Sequence, residues 1–254
     1  YVAMSAQDCA YDAASIATTD QVTILEVMGR NAGWVAAASA LARRSPADPP
    51  HLIYVPERPL APERMLEQVQ SVVRRHGHAV IVVTETVRDD AGKPWARYAG
   101  DDGFGHPRLV GAAEHMCELI ADRLRLKARF NKPGSLQRSA GGCVSCVDWD
   151  EAYGAGREAV QRVTDGARDR MITLLRSPGP AYACTFGLAP LLEIAHAERR
   201  LPPAFLAGDC DVSDAYLAYA RPLIGDPLPH YDRLVGVKAH SVAAPASASA
   251  SGSR

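Results

Sequence analysis

Three short segments of this chain carry groups that grip anions or sugar hydroxyls. The first is Met28-Gly29-Arg30-Asn31-Ala32-Gly33-Trp34, which follows an apolar run and precedes an alanine-rich stretch. Its two glycines let the backbone come close to a ligand. A guanidinium at the entrance of a helix, beside the free N–H groups there, makes a site for phosphate or another anion. On spacing alone, an Arg30 that merely pairs with a nearby carboxylate, with Gly29 serving the turn, accounts for the same residues. The second is Glu85, placed after an apolar run that ends at Val83. A carboxylate there can accept hydrogen bonds from sugar hydroxyls or cap a loop in water. The third runs from Arg129 to Arg138 and brings three cations, Arg129, Lys132 and Arg138, within ten residues. Two guanidinium forks from different directions would hold a phosphate monoester firmly, whereas a solvated basic loop has the same composition.

Other chemistry has less support. The six cysteines, at 9, 117, 143, 146, 184 and 210, are irregularly spaced and fit reduced thiols. Cys143 and Cys146 form a lone C-x-x-C without the further ligands of a zinc site or the surroundings of a redox pair, and they read as small residues near a helix start. The eight histidines include no H-x-x-x-H and no H-E-x-x-H, so no metal ligands are expected in the chain. The 28 Lys+Arg balance 29 Asp+Glu without a long basic run, which argues against nucleic acid as a partner. The weakly polar stretch 32–42 is about half of the roughly 20 residues a membrane span needs, so no span is expected. With 47% hydrophobic and 22% charged residues, the composition is that of a soluble globular protein of one or two domains. No G-x-G-x-x-G follows a strand, which removes the main support for a nucleotide-binding oxidoreductase.

The elements that must position these segments follow from hydrophobic pattern. Residues 22–27, 51–55, 79–83 and 171–175 read as strands. Residues 33–44, 62–76, 109–125 and 148–165 read as helices, the last with Asp148 as N-cap and Glu151 at the capping-box spacing. Residues 88–105 read as a loop, and the part beyond the last strand as short helices with Pro-rich connections. Residues 241–254, almost wholly Ala, Ser, Gly and Pro, read as a disordered tail. Short apolar runs alternating with amphipathic stretches predict an α/β fold of doubly wound type, in which ligands sit at the carboxyl ends of the strands.

Taken in order, the segments are more specific. "VTILEVMGRNAGWVAAASALA" resembles the strand, Met-Gly-Arg loop and helix of the phosphofructokinase family. "HLIYVPERP", "VIVVTET" and "KPGSLQRS" resemble the landmarks that follow, and "DWDEAYGAGREAVQ" and "YARPLIGD" resemble runs of its pyrophosphate-dependent branch. The resemblance covers residues 1–234 and implies a three-layer α/β/α fold, phosphofructokinase-like and incomplete. It divides the chain into a sugar-phosphate-binding domain (1–137), a return segment towards a donor domain (138–185), a C-terminal helical segment (186–240) and the tail.

The resemblance further implies that Met28, Gly29 and Arg30 lie along fructose 6-phosphate, that Glu85 accepts hydrogen bonds from its hydroxyls, and that Arg138 binds the 6-phosphate. Arg129 matches an arginine lent to a neighbouring subunit, which implies a homo-oligomer, dimer or tetramer. Ser135 stands where relatives often have His or Tyr facing the substrate, and Gln21 where ATP-using relatives carry a phosphate-binding Arg. The family's glycine-rich phosphate loops, its Mg²⁺ ligands and its catalytic base have no counterpart here, and Asp101-Asp102-Gly103 is given no catalytic role. No catalytic residue and no metal ligand is therefore assigned, and the missing parts are expected before Tyr1, in keeping with an opening Tyr1-Val2-Ala3 that lacks an initiator Met. The implied activity is cytoplasmic and glycolytic: transfer of a phosphoryl group from pyrophosphate to the 1-hydroxyl of fructose 6-phosphate, with Mg²⁺. This chain would supply the acceptor half and be inactive alone. The alternatives are an ATP-dependent 6-phosphofructokinase and a non-catalytic sugar-phosphate-binding subunit.

Overall fold

Continuous β-branched runs bury best in a sheet that is covered on both faces, and the strongest such runs of this chain lie side by side. The computed structural model describes residues 1–101, 107–179, 181–195 and 197–232. Helix α1 (Val2–Ser15) leads into β1 (Val22–Val27), and the short α2 (Trp34–Ala38) precedes β2 (Leu52–Tyr54). Helix α3 (Pro62–His76) then precedes β3 (Ala79–Thr84). A hairpin of β4 (Arg97–Asp101) and β5 (Pro107–Val110) is followed by α4 (Ala112–Leu124) and β6 (Ala128–Asn131). Strands β2, β3, β1 and β6 form one parallel sheet in that order. β1 runs in register with β3 from Val22 opposite Ala79 to Val27 opposite Thr84, and with β6 from Val22 opposite Ala128 to Leu25 opposite Asn131.

Every residue of β1 and β3 is buried, so side chains alternate between two cores. Leu25, Val27, Ile53, Val80 and Val82 meet α1, α2 and the later helix α8 (Asp214–Ala220) on one face. Val22, Ile24, Leu52, Ile81 and Val83 meet α3 and α4 on the other. The result is the three-layer α/β/α arrangement. Helix α3 opens with Pro62 at its first position and closes on Gly77, whose φ of 80° and bond from its N–H to the Val73 carbonyl (2.8 Å) make a left-handed cap.

The remaining described α-helices and strands are α5 (Leu136–Ser139), α6 (Cys146–Thr164), β7 (Arg170–Arg176), β8 (Cys184–Pro190), α7 (Leu191–Ile194), β9 (Leu206–Ala207) and β10 (Asp211–Val212). β7 and β8 pair antiparallel outside the main sheet, and α6 packs against them. This lobe keeps Trp149, Val160, Val163, Leu174 and Leu192 exposed. The Arg176 guanidinium ties it to α8, lying 4.9 Å from the ring centres of both Tyr182 and Tyr219 and donating to the Tyr219 carbonyl at 2.7 Å.

Five sequence expectations are corrected. The helix expected over 33–44 is α2 followed by a 3-10 turn, Ser39–Ala42, because the buried Ser39 hydroxyl turns back onto the Ala36 carbonyl (2.6 Å). The stretch 88–105 is not all loop, since β4 begins within it; β5 takes Leu109 and Val110, so α4 begins only at Ala112. The N-cap of α6 is Ser145 and not Asp148: the Ser145 hydroxyl accepts from the N–H groups of Val147 (3.1 Å) and Asp148 (3.3 Å), starting the helix earlier. Residues 184–190 form a strand where short helices were expected, because seven residues of β7 offer them a complete ladder. The tail 241–254 lies outside the described residues.

At the start of β2, His51 is packed between two other imidazoles, its ring centre 4.8 Å from that of His76 and 5.4 Å from that of His78. Its Nδ1 lies 3.0 Å from the Val80 N–H and must accept, so the ring is neutral with its proton on Nε2. Burial first, then the neighbouring histidines, pushes His51 down to about 3. A histidine whose folded pKa is depressed adds stability that is complete above its unfolded value of about 6.5 and is lost as pH falls below it, because the unfolded chain takes up a proton that the fold resists. Urea midpoints are therefore expected to fall between pH 7.5 and 5, and His51→Asn is expected to flatten that slope; parallel profiles for the two proteins would contradict this.

Candidate functional site

Because β1, β3 and β6 are parallel, the chain leaves all three at the same edge of the sheet. That edge collects the loop 28–33, the pair Glu85 and Thr86, and the segment 132–138. Direct bonds join them. The Met28 N–H donates to Gln137 Oε1 at 3.1 Å, while Gln137 Nε2 donates to the Gly134 carbonyl at 3.2 Å. The Thr86 hydroxyl lies on the carbonyls of Gly29 (3.1 Å) and Arg30. Gly29 has φ of +151°, and a Cβ there would lie 2.8 Å from the Ala32 carbonyl oxygen, so only glycine lets the loop turn so tightly above Thr84. The hydroxyl of Thr84, fully buried beneath this turn, has no hydrogen-bond partner among the described residues.

The far end of the loop is fixed by a carboxylate. Glu57, just past β2, accepts from the Gly33 N–H at 3.0 and 3.1 Å and from the Leu201 N–H at 2.7 Å. A Cβ on Gly33 would stand 2.5 Å from Val55, so this approach also needs glycine. Trp34 then anchors α2: its indole N–H donates to the Arg199 carbonyl (2.7 Å), its own carbonyl accepts from the Tyr216 hydroxyl (2.8 Å), and the Arg199 guanidinium lies 5.5 Å from its ring.

Between these elements and α6 lies a cavity of about 560 Å³ whose walls include Met28, Trp34, Gln137, Arg138, Asp148 and Tyr219. Its lining is largely apolar, with Arg138 as its cation and Asp148 as its carboxyl. Burial, and next Glu151, pushes the Asp148 carboxyl up. A wider groove of about 690 Å³ between α6 and β7 contains none of the residues 28–34, 85 or 129–138, so the smaller cavity is the candidate site.

Of the seven sequence candidates, Met28 and Arg138 share this cavity, with Gly29 shaping the loop behind Met28. Arg30 and Ser135 are exposed and Glu85 half-buried; none of the three is among its walls. Arg129 lies on β6 with its guanidinium on Asp12 of α1 and its Nε 3.5 Å from the Thr23 hydroxyl. Gln21 holds the Lys127 N–H at 3.1 Å. Asp101 ends β4, and Asp102 and Gly103 lie outside the described residues. Sequence reasoning did not single out Gln137, Glu57 or Glu26. Gln137 and Glu57 stand inside the stretches KPGSLQRS and HLIYVPERP that resemble family landmarks, and Glu26 carries a signal of its own as a charge inside an apolar strand. Among the described residues no group of three or more His, Cys, Asp or Glu could hold a metal, so no residue is assigned to Mg²⁺. No described helix is long and apolar enough to cross a membrane.

The phosphofructokinase family model matches residues 1–163. The chain is 36% identical over 235 residues to a pyrophosphate–fructose 6-phosphate 1-phosphotransferase of Halomonas elongata, covering 91% of this chain and 56% of that protein. A protein of the same name from Methylococcus capsulatus is 36% identical over 234 residues, with the same coverage of 91% and 56%. The solved pyrophosphate-dependent phosphofructokinase of Marinobacter aquaeolei superposes with a TM-score of 0.77 at 31% identity, covering 91% of this chain and 55% of that one. The chain thus spans about half the length of the relatives it matches.

Removing the Glu57 carboxylate leaves two backbone N–H groups without their acceptor. Glu57→Ala is expected to cost about 1–3 kcal/mol in urea unfolding. A loss below a few tenths of a kcal/mol would mean that water replaces the carboxylate and that the loop is held elsewhere.

Proposed function

The chain belongs to the phosphofructokinase family, and from that premise we propose that it carries the acceptor-sugar half of a site moving a phosphoryl group from pyrophosphate to the 1-hydroxyl of fructose 6-phosphate. The observation that carries this reading is the bond from the Met28 N–H to Gln137 Oε1, which joins the Met-Gly-Arg loop to the Gln-Arg loop beside a cavity that Arg138 enters. Arg138, assisted by Arg30, holds the 6-phosphate through charge-assisted hydrogen bonds. Met28 and Gly29 lie along the sugar, Glu85 accepts from its hydroxyls, and Ser135 reaches the phosphate directly or through water.

In the reaction the 1-hydroxyl oxygen attacks a phosphorus of pyrophosphate, the bridging P–O bond breaks, and the products are fructose 1,6-bisphosphate and orthophosphate. The hydroxyl proton leaves to a base that no described residue is assigned to be. What this chain contributes is the fixed position of the sugar, which removes orientational freedom before the transfer. Pyrophosphate is preferred over ATP because the relatives matching nine-tenths of the chain carry it in their names. The exposed apolar side chains of α6, β7 and β8 support the role of residues 138–185 as a return segment towards a donor half. Arg129, on the outer strand of the sheet, is the residue a neighbouring subunit would draw on in a homo-oligomer, exchanging its ion pair with Asp12 for one with the phosphate there. Free thiols throughout fit a glycolytic enzyme of the cytoplasm.

Two outcomes are expected. Arg138→Ala in the purified chain should weaken fructose 6-phosphate binding, read by calorimetry, by about 10- to 100-fold, the loss of a charge-assisted contact; an unchanged affinity would remove Arg138 from the phosphate. The 254-residue chain should form no fructose 1,6-bisphosphate with either donor. A polypeptide extended to its relatives' length should turn over with pyrophosphate, and turnover with ATP alone would overturn the donor assignment.

A further inference from the structure

Glu26 is a charge where the fold least tolerates one. It sits on the central strand β1, its side chain 1% exposed, on the face that Val22 and Ile24 pack against α3 and α4. A buried carboxylate is strongly destabilising unless its oxygens find donors or a cation. Both oxygens are engaged. Oε2 accepts from the Ala113 N–H at 2.9 Å and so caps α4, whose own N-cap residue, Gly111, supplies no side chain. Oε1 lies 2.7 Å from Lys132 Nζ; the ammonium stands off the favoured hydrogen-bond direction, so this contact is chiefly an ion pair. Gly111 keeps the space clear, since a Cβ there would lie 2.5 Å from Oε2.

Lys132 is the first residue after β6 and the last before Pro133 and Gly134, whose fixed ring and φ of 56° allow little choice of path. The turn then closes on itself, with the Leu136 N–H on the Pro133 carbonyl (3.2 Å) and the Arg138 N–H on the Ser135 carbonyl (3.0 Å). Fixing Lys132 therefore fixes where α5 begins and where Arg138 emerges. Met28, two residues beyond Glu26, holds the same segment at its other end through Gln137. One strand and its extension grip the segment 132–138 at two points, one an ion pair between the buried Glu26 and the exposed Lys132, one a backbone bond at the cavity.

We propose that Glu26 and Lys132 are positioning residues: their ion pair locks the segment 132–138 so that Arg138 is held ready for the sugar phosphate. The lock itself stands on the contacts just described; its benefit to binding rests on the proposed function. Lys132 then is not a ligand, because its charge is committed to Glu26. A preset Arg138 loses less freedom when phosphate arrives, and the gain appears as affinity.

The test uses the purified chain with Lys132→Met, Lys132→Arg and Glu26→Gln, followed by hydrogen exchange of the peptide spanning 132–139 and by calorimetry with fructose 6-phosphate. Lys132→Met is expected to speed exchange of that peptide by about tenfold or more while peptides of β1 and β3 keep their protection. The affinity should fall by about tenfold, and Lys132→Arg should restore both. Glu26→Gln keeps an acceptor for Ala113 while removing the charge, and it should reproduce the faster exchange should Lys132→Met fold poorly. Unchanged exchange in a folded variant overturns the lock, whatever the affinity. Faster exchange with unchanged affinity upholds the lock but overturns its positioning role, whereas faster exchange in variants of a parent chain that does not bind the sugar phosphate upholds the lock and counts against the sugar-phosphate reading.

Discussion

β1 is hydrogen-bonded along both edges to parallel partners, and that pairing is the constraint on which the rest of the molecule depends. Parallel register sends the chain out of β1, β3 and β6 at one edge, so loops distant in sequence meet there without any long excursion. It also leaves β1 no solvent-facing side. Its residues must suit two cores at once, which is why the strand reads as a nearly continuous apolar run, and why Glu26, the exception, has to be answered by Ala113 and Lys132.

Charge around the site is more sparing than composition implies. Three cations stand between residues 129 and 138, and convergence on one phosphate would be the natural expectation from sequence. In the fold two of them are committed to carboxylates: Arg129 to Asp12 and Lys132 to Glu26. Arg138 has no ion pair among the described residues and is the one that lines the cavity. Carboxylates do similar work on the first loop, where Glu57 holds Gly33 and Leu201. Acidic side chains thus shape the loops from behind, and the basic one is left facing the open space. A site built so would pay for its order during folding and not at each binding event.

Legibility in the sequence followed the physics of each element. Residues 22–27 and 79–83 were readable as strands because burial on both faces demands unbroken apolar, β-branched runs. Helix α3 was readable because its Pro start and Gly stop are local signals. β4 and β8 were not, since a ribbon strand carrying Asp, Gly, Thr or Pro takes its stability from its partner. The start of α6 could be capped by Ser145 or Asp148, and only the path of the preceding chain chooses Ser145. In the site, the Met-Gly-Arg and Gln-Arg segments were visible as motifs. Their contact through Gln137, the diversion of Arg129 to Asp12, and the role of Glu57 are tertiary facts with no local trace.

In the proposed function this chain holds the acceptor sugar, and does so without the donor. The most direct measurement is calorimetric titration of the purified chain with fructose 6-phosphate, repeated in a large excess of pyrophosphate at constant ionic strength. Saturable binding of one sugar phosphate per chain, with the same affinity in both titrations, is expected. Displacement of the sugar phosphate by pyrophosphate would contradict this, because the cavity beside Arg138 would then be a general anion site and not the seat of a sugar.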